Sequence, residues 1–102
     1  MPVTVTHCVF LRLRESVNAD ALFAELAGLK DLIEGIVSFS GGPTTSSENL
    51  GHFTHAFVMV FASVAARDAY LPHPEHIRVK TAVVAALHED AAGAVAVVDY
   101  AS

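Results

Sequence analysis

Residues 52–62, HFTHAFVMVFA, constrain the fold more than any other stretch of the sequence. Their aromatic and β-branched composition is typical of a strand, in which successive side chains point to opposite faces. One face would carry Phe53, His55, Phe57, Met59 and Phe61, and the other Thr54, Ala56, Val58, Val60 and Ala62. Both sets are largely apolar, so we predict that both faces are buried. Helices packed on one side of a sheet cannot achieve this alone.

The periodicity of the remaining sequence predicts three more strands and a helix on either side of the central pair. We expect strands over 3–14, 36–41, 52–62 and 94–100 and helices over 16–35, 64–70 and 74–90. The first helix has an apolar stripe at Leu22, Leu26, Leu29 and Ile33, and Pro74 suits the first turn of the last helix. The order is β-α-β-β-α-β, with the second helix broken in two. This order predicts an α+β, ferredoxin-like protomer: a four-stranded antiparallel sheet with helices on one face. We find no linker, so residues 1–102 are expected to form one domain.

Composition favours a homodimer. Hydrophobic residues make up 53% of the chain and mean hydropathy is +0.48, which is high for a small monomer. No apolar run approaches the roughly 20 residues that span a bilayer, so we expect no membrane partner. Two protomers that pack sheet to sheet into an α+β barrel would bury the second face of strand 52–62.

Charge and cysteine content exclude other classes. The net charge is −5 and Lys plus Arg total six, so the basic stripe of a nucleic-acid-binding protein is absent. The single cysteine, Cys8, allows no internal disulfide and suits a reducing compartment. The first residues also lack the basic segment and cleavage site of a signal peptide, so the expected location is the cytoplasm.

Three of the six histidines fall on apolar faces of predicted elements. His7 and His55 lie on strands that neighbour each other in this fold, and we expect them to be near-diagonal neighbours on the helix-covered face. His76 lies in the first turn of the last helix, close to Tyr70. Together they predict a small-molecule pocket with few polar groups in an apolar lining. The expected lining residues are Val9, Leu11, Leu22, Phe23, Leu26 and Phe57.

This arrangement predicts acid–base chemistry. Desolvation and the helix N-terminus both lower the pKa of His76, whereas Glu75 raises it. If the first two effects prevail, His76 is a general base near neutral pH and Tyr70 donates its hydroxyl to a carbonyl or enolate oxygen. His7 and His55 would then orient the substrate or polarise its oxygen. The alternative is that these histidines are structural, bonded to the backbone inside the core.

We expect neither a metal nor a cofactor. His52 and His55 have suggestive spacing but lie on opposite faces of their strand, and the sequence has no HExxH motif or Cys/His quartet. The stretch SGGPTTSS lacks the strand-to-helix context of a phosphate-binding loop.

Several motifs together resemble the stress-responsive α/β-barrel (Dabb) family: His7 in an aliphatic strand, GIVSFSGG, FTHAFVMVF, AYLPHPEH and the closing AVVDY. The resemblance spans essentially the whole chain and implies a ferredoxin-like protomer that dimerises into an α+β barrel. One plant member, olivetolic acid cyclase, closes a polyketide ring by aldol condensation without a cofactor. Its motif matches this sequence at His7, His55, Tyr70 and His76. The first helix here is rich in alanine and leucine rather than aromatic residues, so the plant substrate is not implied.

The leading hypothesis is therefore a homodimer that binds a small apolar carbonyl compound and performs cofactor-free, cyclase-like or lyase-like proton transfer. The alternative is a non-enzymatic, stress-related oligomeric protein. Other relatives that share the fold more distantly also raise a third hypothesis, a heme- or flavin-assisted oxygenase.

Overall fold

The structure, a computed structural model, describes residues 3–49, 51–89 and 93–102. Within these ranges the elements are β1 (Val5–Leu11), α1 (Ala19–Leu32), β2 (Ile36–Pro43), β3 (His55–Phe61), α2 (Val64–Tyr70), α3 (Pro74–Ala86) and β4 (Val95–Ala101). The predicted last helix is too long, since α3 ends at Ala86; residue 90 lies outside the described residues. None of the described helices is long and apolar enough to cross a membrane.

The four strands form one antiparallel sheet in the order β2-β3-β1-β4. The predicted ferredoxin-like order is confirmed, with the second helical region broken into α2 and α3. β1 lies in the middle: His7 is opposite Met59 of β3 on one side and Asp99 of β4 on the other. β2 and β4 are the edges of the sheet.

The core lies between the helices and the inner face of the sheet. In β1 the odd-numbered residues Val5, His7, Val9 and Leu11 are buried, as the alternation predicts. In β3 the inner residues Phe57, Met59 and Phe61 are at most 4% exposed. The predicted stripe of α1 is also buried: Leu22, Leu26, Leu29 and Ile33.

The outer face of the sheet is also apolar but has no helix over it in the part of the chain that the structure describes. Cys8 and Val58 are paired at its centre and are only half-buried. Val98 and Tyr100 of β4 are 57% and 55% exposed. Both faces of the sheet therefore have the composition of a buried surface, and the single chain covers one of them.

The break between α2 and α3 is capped by side chains. Ser63 accepts a hydrogen bond from the amide of Ala66 and begins α2. His73 accepts one from the amide of Glu75 at 3.1 Å, and Pro74 occupies the first turn of α3. This fixes the start of α3, and with it the position of His76.

Candidate functional site

A cavity of about 280 Å³ lies between α3 and the inner faces of β1 and β4. Its lining is mostly apolar, and its polar residues are His7, Tyr70, His76 and Lys80. Four of the predicted lining residues line it: Val9, Leu11, Leu26 and Phe57. Leu22 and Phe23 are not among its lining residues, and the ring of Phe23 packs instead against Phe39 of β2 and Phe57 of β3.

The rings of His76 and Tyr70 are in close, tilted contact, and both residues line the cavity. Their ring centroids are 4.0 Å apart with an interplanar angle of 32°. Nδ1 of His76 donates a hydrogen bond to the carbonyl oxygen of Leu71 at 2.9 Å, because a carbonyl can only accept. In the neutral ring the lone pair is therefore on Nε2.

The electrostatics keep His76 neutral. Burial lowers its pKa below the ordinary 6.5, and the positive charge of Lys80 acts in the same direction. The hydrogen bond to Leu71 opposes this shift without cancelling it. His76 thus has an available lone pair at neutral pH, as a general base requires.

Tyr70 is an uncharged hydrogen-bond donor. Its side chain is 1% exposed, and burial raises its pKa far above the ordinary 10.0. Tyr70 lines the cavity, and no buried side-chain oxygen or nitrogen of the described residues lacks a hydrogen-bond partner.

His7 is held by a charged network behind the cavity wall. Its Nδ1 is 2.6 Å from Oδ1 of Asp99, whose Oδ2 accepts a hydrogen bond from Arg67 at 2.7 Å. Burial raises the pKa of Asp99, but the hydrogen bonds from Arg67 and His7 outweigh it and hold the pKa below its usual value. The ionised carboxylate fixes the Nδ1 proton of His7, and Nε2 has no partner among the described residues.

His55 is not part of this site, and the expectation that it is a near-diagonal neighbour of His7 is wrong. It pairs with Leu11, four positions along β1 from His7, which corresponds to about 13 Å along a strand. Its Nδ1 is 2.8 Å from Oγ1 of Thr54 and its ring packs against Phe23. It lines a different, open cleft of about 340 Å³ beside residues 44–49 and 51.

Three relevant residues were missed by the sequence analysis: Lys80, Asp99 and Arg67. Two of them had a signal. Lys80 follows His76 by four residues and so lies on the same helix face. Asp99 shares a face with Val95 and Val97 in a strand of alternating pattern. Arg67 had none, because its contact with β4 depends on how α2 packs.

No group of three or more His, Cys, Asp or Glu side chains in the described ranges is placed to hold a metal ion. The chemistry open to the cavity's own residues is proton transfer: a base at His76, a donor at Tyr70 and a fixed imidazole at His7.

Comparisons with known proteins agree with this architecture. A structure of a protein from Arabidopsis thaliana is 32% identical, covers 94% of this chain and 92% of its own, and superposes with a TM-score of 0.81. A dimeric ferredoxin-like protein of unknown function from Jannaschia sp. is 31% identical, with coverages of 95% and 97% and a TM-score of 0.81. The hydroxynitrile lyase from Passiflora edulis has a TM-score of 0.85 and coverages of 100% and 95%, but its 20% identity shows the shared fold alone. The sequence has no significant match among curated proteins.

The family model described as the stress responsive A/B barrel domain, Dabb, matches residues 5–102. This range includes the four strands, the three helices and the lining residues of the cavity. The chain belongs to the Dabb family.

Proposed function

We propose that the cavity binds a small, largely apolar carbonyl compound and that His76 and Tyr70 catalyse proton transfer beside its carbonyl without a cofactor. One observation carries the proposal. A neutral imidazole with an unshared Nε2 lone pair is in close contact with a protonated phenol, and both line an apolar cavity. An apolar lining strengthens the hydrogen bonds that His76 and Tyr70 would make with a substrate, since it reduces the competition from water.

The proposed mechanism starts with the substrate carbonyl oxygen accepting a hydrogen bond from Tyr70. Nε2 of His76 removes a proton from the adjacent carbon, and the electron pair of the broken C–H bond becomes an enolate whose charge is on the oxygen near Tyr70. The enolate carbon then attacks a second carbonyl of the same molecule and forms a C–C bond. The new alkoxide takes the proton back from His76. This is an aldol ring closure like that of olivetolic acid cyclase.

His7 has a positioning role in this scheme. Its Nδ1 proton is fixed by Asp99, so in the neutral ring the lone pair is on Nε2, and His7 itself lines the cavity. The ring is 6.1 Å from that of Tyr70, close enough for one small substrate to contact both. We propose that Nε2 accepts a hydrogen bond from an enol or hydroxyl of the substrate and so fixes which carbon faces His76.

The test is the exchange of substrate α-protons with deuterated water, followed by NMR over a panel of aromatic and polyketide-like ketones. Exchange is visible at the substrate itself, whatever the product is. We expect exchange with the wild type, about 100-fold slower exchange in His76→Gln because general bases contribute 10²–10⁴, and an intermediate loss in Tyr70→Phe. The matched control is His55→Gln, which removes an imidazole outside the cavity and should exchange at the wild-type rate. Equal rates in wild type and His76→Gln would contradict the proposal.

We also propose that the chain forms a homodimer through the outer face of its sheet. This face is apolar and exposed in the single chain, with Phe10, Val98 and Tyr100 from 38% to 57% exposed. The similar Jannaschia protein is described as dimeric. Two such sheets packed face to face would give the barrel for which the family is named. Light scattering after gel filtration measures the mass directly, and a monomer at micromolar concentration would contradict the proposal.

A second candidate function is a non-enzymatic, stress-related oligomeric protein. The family description refers to stress response, and the hydrogen bond of His7 with Asp99 is a structural reason for its burial. In this case His76→Gln changes only stability, and no ketone of the panel raises the melting temperature of the wild type. A non-enzymatic protein would also not accelerate the exchange of ketone α-protons, so the deuterium-exchange experiment separates the two candidates.

We further propose a cytoplasmic location. Cys8 is a free, half-buried thiol, and the cytoplasm keeps thiols reduced. Fractionation of the cells that produce the protein tests this, and recovery outside the cytoplasmic fraction would contradict it.

A further inference from the structure

Lys80 is the one Lys, Arg, Asp or Glu of the described residues that lines the cavity. It lies on α3, is exposed at the cavity mouth, and forms no ion pair within the described ranges. By contrast, Arg67 and Arg78 are both paired with carboxylates. As far as the described residues go, the cavity thus presents one uncompensated positive charge and no negative one.

Lys80 lies four residues after His76, so both side chains project from the same face of α3. Such pairs have Cβ atoms about 5–6 Å apart. A ligand whose carbonyl lies at His76 would therefore place a group several bonds away beside the Lys80 ammonium.

We propose that Lys80 binds the carboxylate of the substrate, and that the substrate class is a keto acid whose largely apolar tail carries the second carbonyl needed for ring closure. This inference rests on the proposed function, because the ketone is placed by Tyr70 and His76. In a 5-oxo acid the carboxylate and ketone carbons are separated by four C–C bonds, about 5 Å when extended, which is comparable to the Cβ spacing of His76 and Lys80. The flexible four-carbon stem of Lys80 lets its ammonium reach a carboxylate at that distance. The tail then occupies the part of the cavity lined by Val9, Leu26 and Phe57.

One fact favours a carboxylate over a more highly charged group. A phosphate is usually held by several donors, such as backbone amides and arginines. Here one lysine faces the cavity. The cavity volume of about 280 Å³ also limits the ligand to a small molecule. The net charge of −5 repels anions in general, so an anionic ligand needs a local cation in order to bind.

The experiment compares a series of 5-oxo carboxylic acids, such as 5-oxodecanoate, with their methyl esters, which keep the ketone and tail but lack the charge. Affinities are measured by NMR titration for wild type, Lys80→Met, Lys80→Arg and Lys30→Met. Lys30 is an exposed lysine on α1 that does not line the cavity, so its variant makes the same change in net charge. Lys80 is exposed, and substitution there is expected to leave the fold intact.

We expect Lys80→Met to weaken binding of the acids about three- to fivefold and to leave binding of the esters unchanged, which is the range of a solvent-exposed ion pair. Lys80→Arg and Lys30→Met should bind the acids as the wild type does. High salt should reduce the loss, since it screens the pair.

The experiment distinguishes a failure of the carboxylate assignment from a failure of the proposed function. If acids and esters both bind wild type and Lys80→Met equally, the carboxylate assignment is overturned and the proposed function stands. An equal loss in Lys30→Met also overturns it, because general electrostatic attraction then explains the effect. If neither acids nor esters bind the wild type, and no ketone exchanges deuterium, the proposed function itself is overturned.

Discussion

Within the described residues the ring of His76 makes one hydrogen bond, from Nδ1 to the carbonyl of Leu71, and this bond determines what the ring can do. It selects the tautomer whose lone pair is on Nε2, so the proton-accepting atom is fixed by the backbone of the α2–α3 junction. Tyr70 is complementary: burial raises its pKa, and it stays a donor throughout the neutral range. Base and donor are thus separated by environment rather than by residue type alone.

The first residue-scale prediction concerns pH. A general base is inactive when protonated, so the deuterium-exchange rate should fall as pH falls through the pKa of His76. Because burial lowers that pKa, the acid limb should lie below pH 6.5. Since the pKa of Tyr70 is raised well above 10.0, its ionisation should cause no decline below pH 10.

The measurement is the exchange rate from about pH 4 to about pH 9, a range that brackets the ordinary histidine pKa of about 6.5. Circular dichroism at each pH is the control that the protein remains folded. An acid limb centred above pH 6.5, or the same limb in His76→Gln, would show that another group is the base.

At the scale of the elements, the short connections determine where the site residues lie. Gly35 joins α1 to β2 with a φ of +96°, a conformation that residues with a Cβ rarely adopt. An added Cβ there would be 2.7 Å from Cβ of Ala66 on α2. Glycine at position 35 therefore allows α2 to pack closely against the α1–β2 turn. The helix α2 carries both Arg67 and Tyr70.

We predict that Gly35→Ala destabilises the protein by about 1–3 kcal/mol, from backbone strain and from the clash with Ala66. The matched control is Gly28→Ala, in the middle of α1 with open space around the added Cβ. This change should stabilise the protein by about 0.5–1 kcal/mol, since glycine is a poor helix former. Urea denaturation measures both, and equal effects of the same sign would contradict the account.

The sequence predicted the faces of the elements better than their relative positions. Alternation placed His7 and His55 correctly on the inner face, because side-chain period is a local property of a strand. It did not determine how far β3 slides along β1. The register His7–Met59 and Leu11–His55 depends on tertiary packing, and it separates the two histidines. The proximity of Tyr70 and His76 could be predicted from the sequence, since one short proline-rich turn joins them.

At the scale of the whole molecule, the sheet has two apolar faces and the helices cover one. Leaving Val98 and Tyr100 in water costs free energy that a second sheet would recover, at about 25 cal/mol per Å² of apolar surface. The cavity lies on the other side of the sheet, beneath α3. The proposed dimer and the proposed ligand therefore use opposite faces of one sheet.

We predict that Val98→Lys weakens the proposed dimer and yields monomer at micromolar concentration, because the change places a charge in the proposed apolar interface. Val64→Lys is the matched control: Val64 is 47% exposed on α2, on the helical side of the molecule. The control should keep the wild-type mass in light scattering. If the mass of Val98→Lys is unchanged, the outer face is not the interface.

The composition of the cavity wall has a consequence for how readily the site can change. Val95 and Val97, on edge strand β4, and Val84 of α3 line the cavity yet are 40–55% exposed. Substitutions at exposed positions usually change stability by less than about 0.5 kcal/mol. Tyr70 and His7, by contrast, are packed into the core. Folding thus fixes Tyr70 and His7, while the three exposed valines of the lining are free to vary. A lineage could acquire new ligands through substitutions at these valines without rebuilding the protein.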